Sequence, residues 1–115
     1  YPEMAAAGLW TTPRDLARYV LGVSRALDGA RDAVISRETA EAMLTSGMGG
    51  WGLGPGVAGA GDSLRFSHGG ANEGYRAFVV GYPQLGKGAA LMTNSDAGGR
   101  LYMEILRSIA LVYDW

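Results

Sequence analysis

Glycine divides this chain into two parts with different patterns. Nineteen of the 115 residues are glycine, and the run GMGGWGLGPGVAGAG at 47–61 is too rich in them to form a helix. Before this run, apolar residues recur at helical spacing; after it, they form the short runs and alternations that are typical of strands. Inside the run, the alternation of Trp51, Leu53 and Val57 predicts a bent or bulged strand. The sequence therefore predicts helices first and a sheet after them.

Two helices are predicted before the glycine-rich run. Thr12 stands at an N-cap position, followed by a proline and, three residues after the cap, by Asp15. The helix is predicted to end near Gly29, with one apolar stripe formed by Leu16, Tyr19, Val20, Val23 and Leu27. A shorter helix is predicted to follow Ser36 and to stop at Gly47. Its inward-facing residues would be Ala40, Met43 and Leu44.

The strands are predicted after residue 63. A first strand carries three alternating residues on one face, namely Leu64, Phe66 and His68. A turn is predicted at 71–74, and the apolar run YRAFVVGY at 75–82 predicts a buried strand. After a second turn at 83–88, residues 89–94 are predicted to form the antiparallel partner.

A long helix is predicted to close the chain. Ser95 or Asp96 would cap it, and its apolar side would carry Leu101, Ile105, Ile109 and Val112. The predicted fold class is therefore α+β, with an antiparallel sheet and helices packed on one face. Residues 1–115 are expected to form one unit, and because the chain opens on Tyr1 without an initiator methionine, we expect it to be part of a longer gene product.

Composition excludes several classes of partner. Ten basic and eleven acidic residues give a net charge of −1 without any charge run, so neither nucleic acid nor an anionic membrane is an expected partner. No apolar stretch approaches the roughly 18 residues of a membrane span. With no cysteine and one histidine, the chain is expected to hold neither a metal site nor a disulfide. No cofactor is expected, and the cellular compartment stays open.

The segment FSHGGANEGYR at 66–76 holds the only histidine, and two interpretations of it are open. In the first, Gly69 and Gly70 let other groups approach the backbone closely, so that exposed amides can hold an oxyanion while His68 carries a proton. In the second, Gly69, Gly70 and Gly74 make a tight turn that His68 caps, which on spacing alone is the commoner outcome. Ser67 is rejected as a nucleophile for His68, because adjacent side chains on a strand point to opposite faces.

Other candidate residues also have ordinary explanations. Three residues after the last predicted strand lie where ligands bind but also where helices are capped: Asn94, Ser95 and Asp96. Two turn residues could contact a substrate or simply be solvated: Asn72 and Glu73. Three aromatic residues are predicted to lie in the core or in a cleft wall, since no basic patch accompanies them: Trp10, Trp51 and Tyr75. Arg76 is predicted to be solvated or salt-bridged.

Three segments together carry a family resemblance. AAGLWTTPRDLARY at 6–19, HGGANEGYR at 68–76 and LMTNSD at 91–96 resemble the C-terminal part of the class C β-lactamase-like serine hydrolases, a group of β-lactamases, D-alanyl-D-alanine peptidases (penicillin-binding proteins) and esterases. The resemblance implies that residues 68–70 match the family's third motif, K-T-G or H-x-G, which lines the active site. It also implies that the backbone N–H of Ala71 is an oxyanion-hole donor, and that His68 orients the substrate and supports the proton network.

The resemblance implies a serine hydrolase that forms an acyl-enzyme with a β-lactam, a D-amino-acid peptide or an ester. Histidine in place of lysine favours a peptidase or esterase. Gly69, Gly70 and Asn72 would then contact the small-molecule or peptide substrate. The family's S-x-x-K and Y-x-N motifs do not occur in these residues, so the nucleophile is expected on an N-terminal part or a second chain, and this chain alone is expected to be inactive.

Two other possibilities stay open at this point. The chain could be a non-catalytic relative that keeps the fold and binds a peptide or a protein partner, because fold does not fix function. It could also associate with itself and so cover the exposed face of its sheet.

Overall fold

The computed structural model describes residues 3–115, so the prediction that rested on Tyr1 lies outside the described residues. Within this range, helices and strands follow one another as the sequence predicts, with one additional short helix at the start. The helices are α1 (Met4–Ala7), α2 (Pro13–Leu27), α3 (Arg37–Met43) and α4 (Gly98–Tyr113). The strands are β1 (Gly56–Ala58), β2 (Arg65–Asn72), β3 (Tyr75–Tyr82) and β4 (Lys87–Thr93).

Helix α2 begins where the cap predicts. The Thr12 side chain accepts a hydrogen bond from the backbone N–H of Asp15 at 3.2 Å, which satisfies one of the amides left free in a first turn. The hydrogen bond from Thr12, and next that from Arg18, hold the pKa of the Asp15 carboxyl below its ordinary value. Val20 and Val23 on the predicted stripe are buried. The prediction of this helix is confirmed.

Helix α3 is shorter than predicted. The Ser36 side chain caps it by accepting from the Thr39 N–H at 3.1 Å, as expected. The helix ends at Met43, however, and not at Gly47. Ala40 and Leu44 are buried as predicted.

The glycine-rich run is less regular than the predicted bent strand. It contains one turn of 3-10 helix at Met48–Gly50, an isolated bridge between Trp51 and Gly56, and the three-residue strand β1. Glycines in this run adopt left-handed backbone angles, with φ of 80° at Gly50 and 109° at Gly54, which a continuous strand does not permit. The correction extends to the side chains: Val57 is buried, but Trp51 is exposed.

The four strands form one antiparallel sheet in the order β1-β2-β3-β4. The loop between β2 and β3 is only Glu73 and Gly74, with Gly74 at φ 74°. Ala71 and Asn72, which were predicted in the turn, belong to β2 and pair with Arg76 and Tyr75. This correction follows from the glycine, because a four-residue turn can be closed with positive φ at its second central residue alone, a position that glycine favours.

The connection between β3 and β4 is also tighter than predicted. A single 3-10 turn covers Pro83–Leu85, and Gly86 at φ 61° completes the reversal. Lys87 and Gly88, which were predicted in the turn, already pair with β3.

Helix α2 covers one face of the sheet and α3 packs against α2. The core lies between the sheet and this pair of helices. It contains Val20, Val23, Leu44, Val57, Phe66 and Val79. Phe66 is fully buried and lies opposite Gly81, which in turn lies opposite Gly88. A Cβ at Gly81 would lie 2.6 Å from the Phe66 ring and 2.7 Å from Val20, so the absence of side chains there is what lets α2 approach the sheet.

Helix α4 packs on the opposite face of the sheet. The prediction that all helices pack on one face is therefore wrong. Phe78 alternates with the core-facing residues of β3, and its ring stacks on Tyr102 of α4 with centroids 5.3 Å apart. Lys87 donates from Nζ to the backbone oxygens of Tyr113 and Asp114 at 2.9 and 2.8 Å, and so binds the C-terminal end of the helix. The α+β class with one antiparallel sheet is confirmed.

The start and the apolar side of α4 differ from the prediction. Ala97 precedes the helix, and neither Ser95 nor Asp96 caps it by a side-chain hydrogen bond. The predicted apolar side is not buried, since Leu101 is 52% and Val112 74% exposed. The helix carries apolar residues around most of its circumference, so the spacing could not indicate which side meets the sheet.

Candidate functional site

Strand β2 leaves the covered part of the sheet half-way along its length. Phe66 is fully buried, whereas every residue from His68 to Asn72 is exposed. Strand β1 pairs with β2 only at residues 65–67. Among the described residues, the outer edge of β2 therefore has no strand partner from His68 onward. The predicted site residues His68, Gly69, Gly70, Ala71 and Asn72 lie together on this free edge.

His68 lies on the same sheet face as Phe66, as predicted, because the two are separated by one residue. The Trp51 ring stands edge-on to the imidazole, with centroids 6.0 Å apart and planes at 65°. Ser67 points to the opposite face, which agrees with its rejection as a partner for His68. The prediction of Trp51 in the core was wrong, and the other expectation, that it lies in a cleft wall, stays a prediction.

Gly69 and Gly70 are extended strand residues and not a tight turn. They pair with Phe78 and Ala77, and neither has a positive φ. The interpretation in which Gly69, Gly70 and Gly74 form a tight turn is therefore wrong for Gly69 and Gly70, whereas Gly74 does lie in the turn. A Cβ at Gly70 would lie 3.5 Å from the Ala77 Cβ, which is ordinary van der Waals contact. The fold does not require glycine at this position.

The tip of the β2–β3 hairpin is tied to the loop that precedes α4. Asp96 accepts the backbone N–H of Gly74 at 3.2 Å and forms an ion pair with Arg76 at 2.9 Å. The prediction that Arg76 is solvated or salt-bridged is thus confirmed in its second form. The sequence does not indicate this partner, because Arg76 and Asp96 are far apart in the chain and no local spacing links them.

The remaining candidates do not join this site through side-chain contacts. Glu73 is exposed in the hairpin loop, and Ser95 accepts the Ala97 N–H within its own loop. Trp10 is 83% and Tyr75 55% exposed, so neither belongs to the core of this chain.

Two further features are absent from the described part of the chain. Residues 3–115 contain no group of three or more histidine, cysteine, aspartate or glutamate side chains placed to hold a metal ion. None of the helices in that range combines the length and the apolar character needed to cross a membrane.

Comparison with known families decides the relationship. The Beta-lactamase family model matches residues 1–114. The chain belongs to the beta-lactamase family. Membership places it in a superfamily of the serine-hydrolase type and confirms the resemblance that the three sequence segments indicate. None of the curated proteins matches the chain.

Two solved structures are similar to this beta-lactamase family chain. The one described as "Crystal structure of SurE" is 26% identical, with a TM-score of 0.69, over 80% of this chain and 23% of that chain. The one described as "Crystal structure of SurE with D-Leu" is 25% identical, with a TM-score of 0.72, over 84% of this chain and 25% of that chain. The chain thus spans about a quarter of the length of these relatives.

Proposed function

We propose that this chain supplies one wall of a serine-hydrolase active site, with His68 and the backbone N–H of Ala71 at its centre. The observation that carries the proposal is the free edge of β2, where the matched motif is exposed beyond the end of β1. An unpaired strand edge presents backbone N–H groups that are available to a ligand. Successive N–H groups point to opposite edges of a strand, so alternate amides of this segment face the open side.

The glycines of the motif support the same site. A side chain at Gly70 would fit against the neighbouring strand. Packing within this chain therefore does not explain why this residue is a glycine. A substrate that must approach the backbone closely does give one, since any side chain there would hold it away from the amides. Gly69, Gly70 and Asn72 are accordingly proposed to contact the substrate.

The proposed reaction proceeds through an acyl-enzyme. A serine oxygen outside this chain attacks the substrate carbonyl, and the Ala71 N–H helps to stabilise the oxyanion that forms. The leaving group departs with a proton, and His68 supports this proton transfer and orients the substrate. Water then attacks the ester, releasing the acid and the free serine. A preorganised donor of this kind accounts for about 10²–10³ in rate in serine hydrolases.

The nucleophile must come from outside these residues, because the chain contains neither S-x-x-K nor Y-x-N. We propose that an N-terminal part or a second chain supplies it, and we call the combination the assembled protein. The length of the two solved relatives supports this, since the chain spans about a quarter of each. Self-association is the competing assembly. The sequence predicted an exposed sheet face as the surface that it would cover, but α4 packs on that face, so we propose the exposed apolar residues of α4 as the surface instead. A solution mass of the purified chain distinguishes the two.

The substrate class is proposed from one relative. Three classes remain open for a hydrolase of this type: a β-lactam, a D-amino-acid peptide and an ester. A SurE structure is described with D-Leu, which favours an acyl donor that carries a D-amino acid. We therefore propose a D-amino-acid peptide or its ester as the substrate.

Labelling with a fluorophosphonate tests the proposal directly. The assembled protein is treated with the reagent, and peptide mass spectrometry locates the modified serine. We expect the adduct on the part that carries S-x-x-K and none within these 115 residues, with slower labelling in His68→Ala. An adduct on a serine of this chain would show that it carries its own nucleophile and that the proposed division of the site is wrong.

The alternative is a non-catalytic relative that binds a peptide or a protein partner. It predicts no adduct anywhere in the assembled protein, and no S-x-x-K in the sequence that precedes or accompanies this chain. The exposed edge of β2 would then add a strand to a bound peptide. A D-amino-acid peptide that binds without being cleaved would favour this alternative.

A further inference from the structure

The arginine at the tip of the β2–β3 hairpin makes more contacts than a surface ion pair requires. Arg76 donates from Nη1 to the backbone oxygens of Asn72 and Tyr75 at 2.6 and 2.8 Å. Its Nη2 lies 2.9 Å from the Asp96 carboxylate. The guanidinium therefore links both residues that flank the hairpin loop to the loop between β4 and α4.

The carboxylate completes the link from its own side. The same Oδ1 of Asp96 that pairs with Arg76 accepts the N–H of Gly74 at 3.2 Å. Thr93, the last residue of β4, donates its hydroxyl to the backbone oxygen of Arg76 at 3.2 Å. Hydrogen bonds that involve a charged group are stronger than neutral ones, and here they end on the backbone of the turn. The Arg76 side chain is 29% exposed and is the less exposed member of the pair.

The position of Arg76 connects this link to the proposed site. In the register of β2 and β3, Arg76 lies directly opposite Ala71. Asn72, whose oxygen the guanidinium holds, is the next residue after Ala71. Movement of the hairpin tip would therefore displace the Ala71 amide, whereas His68, opposite Val79, lies nearer the covered end of the strand.

We propose that Arg76 and Asp96 are positioning residues that fix the Ala71 N–H where the oxyanion forms. This inference rests on the proposed function. Neither side chain touches the reacting atoms; each acts through the backbone of the hairpin. A hydrogen-bond donor stabilises a transition state only when it is held within about 0.5 Å of the productive position, and a two-residue loop at a free sheet edge needs outside contacts to be held so closely.

The test compares Asp96→Ala with Asp32→Ala in the assembled protein. Asp32 pairs with Arg25 on the surface and is a matched control, since it lies in another loop and has no contact with the hairpin. Turnover of p-nitrophenyl acetate gives kcat and KM, and inhibition by phenylboronic acid gives Ki for an analogue of the tetrahedral intermediate. We expect Asp96→Ala to lower kcat about 10-fold with KM within two-fold, and to raise Ki by a similar factor. Asp32→Ala should match the unaltered protein in all three.

Two conservative variants sharpen the result. Asp96→Asn keeps an acceptor for the Gly74 N–H but loses the charge, and should fall between the unaltered protein and Asp96→Ala. Arg76→Lys keeps the charge but cannot reach two carbonyls and a carboxylate together, so its kcat should fall as for Asp96→Ala. The two residues act as one unit. The kcat of the double variant, Asp96→Ala with Arg76→Lys, should therefore lie within about two-fold of the kcat of the less active single variant.

The outcomes separate this inference from the function on which it rests. If the unaltered protein turns over the ester and Asp96→Ala equals it in kcat and Ki, the inference is wrong and the hydrolase function stands. A fall in kcat with an unchanged Ki for the boronic acid would indicate only loss of folded protein, and would also overturn it. If the unaltered protein neither turns over the ester nor takes the fluorophosphonate label, the proposed function is wrong and the inference falls with it.

Discussion

The two ends of the sheet use the same residue type for opposite reasons. At the covered end, Gly81 is surrounded, with the Phe66 ring 2.6 Å and Val20 2.7 Å from where its Cβ would stand. At the free end, Gly70 lies on the same face and would meet only the Ala77 Cβ, at 3.5 Å. Glycine at the first position is explained by packing within the chain. Glycine at the second position is not, and this is the reason for proposing that a substrate approaches it.

The same contrast holds for the large residues on that face. Phe66 and His68 are separated by one residue of β2 and point the same way, yet Phe66 is fully buried and His68 is exposed. The difference lies in the cover: α2 reaches Phe66, where Tyr19 packs edge-on at 6.2 Å between ring centroids. One alternating pattern therefore supplies both the core and the proposed site, and the end of the helix cover divides them.

Truncating these two residues should give opposite results, and this is the largest effect we expect. Phe66→Ala should lower the free energy of unfolding of the assembled protein by about 3–5 kcal/mol, because it leaves a cavity in the core. His68→Ala should change it by less than about 0.5 kcal/mol but lower kcat about 100-fold, since proton transfer and orientation are lost. Urea unfolding and ester turnover measure the two quantities. Normal turnover in His68→Ala would remove the residue from the site.

The paired glycines give the next largest effect. Gly81→Ala should cost about 1–3 kcal/mol of unfolding free energy, because the new methyl group overlaps the Phe66 ring. Gly70→Val should leave that free energy within about 0.5 kcal/mol, since its first carbon meets only an ordinary contact. It should nevertheless abolish most turnover by crowding the backbone amides. A fully active Gly70→Val would mean that no substrate approaches the strand there.

Removing the cap of α2 should have a smaller effect that is confined to the covered end. Thr12→Ala loses the hydrogen bond to the Asp15 N–H and should lower the unfolding free energy by about 1 kcal/mol. Because α2 covers Phe66 and not the hairpin tip, kcat per folded molecule should stay unchanged. Thr45→Ala is the control. Thr45 lies after the end of α3, and its hydroxyl donates to the backbone oxygen of Glu41 and does not cap the start of a helix. A loss of kcat in Thr12→Ala would show that the two ends are coupled.

The smallest effect is a pH dependence at the same cap. Since the folded-state pKa of Asp15 lies below its ordinary value of 3.8, the carboxylate stabilises the fold at pH above 3.8, and this contribution is lost as the pH falls through the folded-state value. Asp15→Asn should therefore unfold at a lower urea concentration than the unaltered protein at pH 6. The difference between the two urea midpoints should be smaller at pH 3. A difference that is equal at both pH values would mean that the charge is not involved.

Local chemistry made the covered end predictable. Thr12 with Asp15 three residues later marks a helix start, and the apolar run at 75–82 marks a buried strand; both are borne out. The glycine-rich segment was not predictable in detail. Glycines with left-handed backbone angles interrupt a strand, and the alternation of apolar residues does not show which glycines adopt those angles. Helix α4 was misjudged for a different reason: its apolar residues surround it, so no single side is marked for the sheet.

The candidate site was predictable only in part. The motif at 68–70 indicated the position of the candidate site. Its spacing is compatible with a turn as well as with a strand, and only the strand register decides between them. The link between Arg76 and Asp96 could not have been foreseen, because it depends on β4 returning the chain to the hairpin tip. Residues distant in sequence and joined by the fold carry no signal in a single sequence.

The lysine at the start of β4 has a practical consequence. Lys87 is the one lysine of the chain, and its Nζ is committed to the backbone oxygens of Tyr113 and Asp114. Amine-directed dyes, biotin reagents and coupled resins would all react with this side chain. The reaction would remove its hydrogen bonds to the last turn of α4. A reporter or surface attachment is therefore better introduced through a cysteine placed at an exposed position such as Ala58, since the chain has no cysteine of its own.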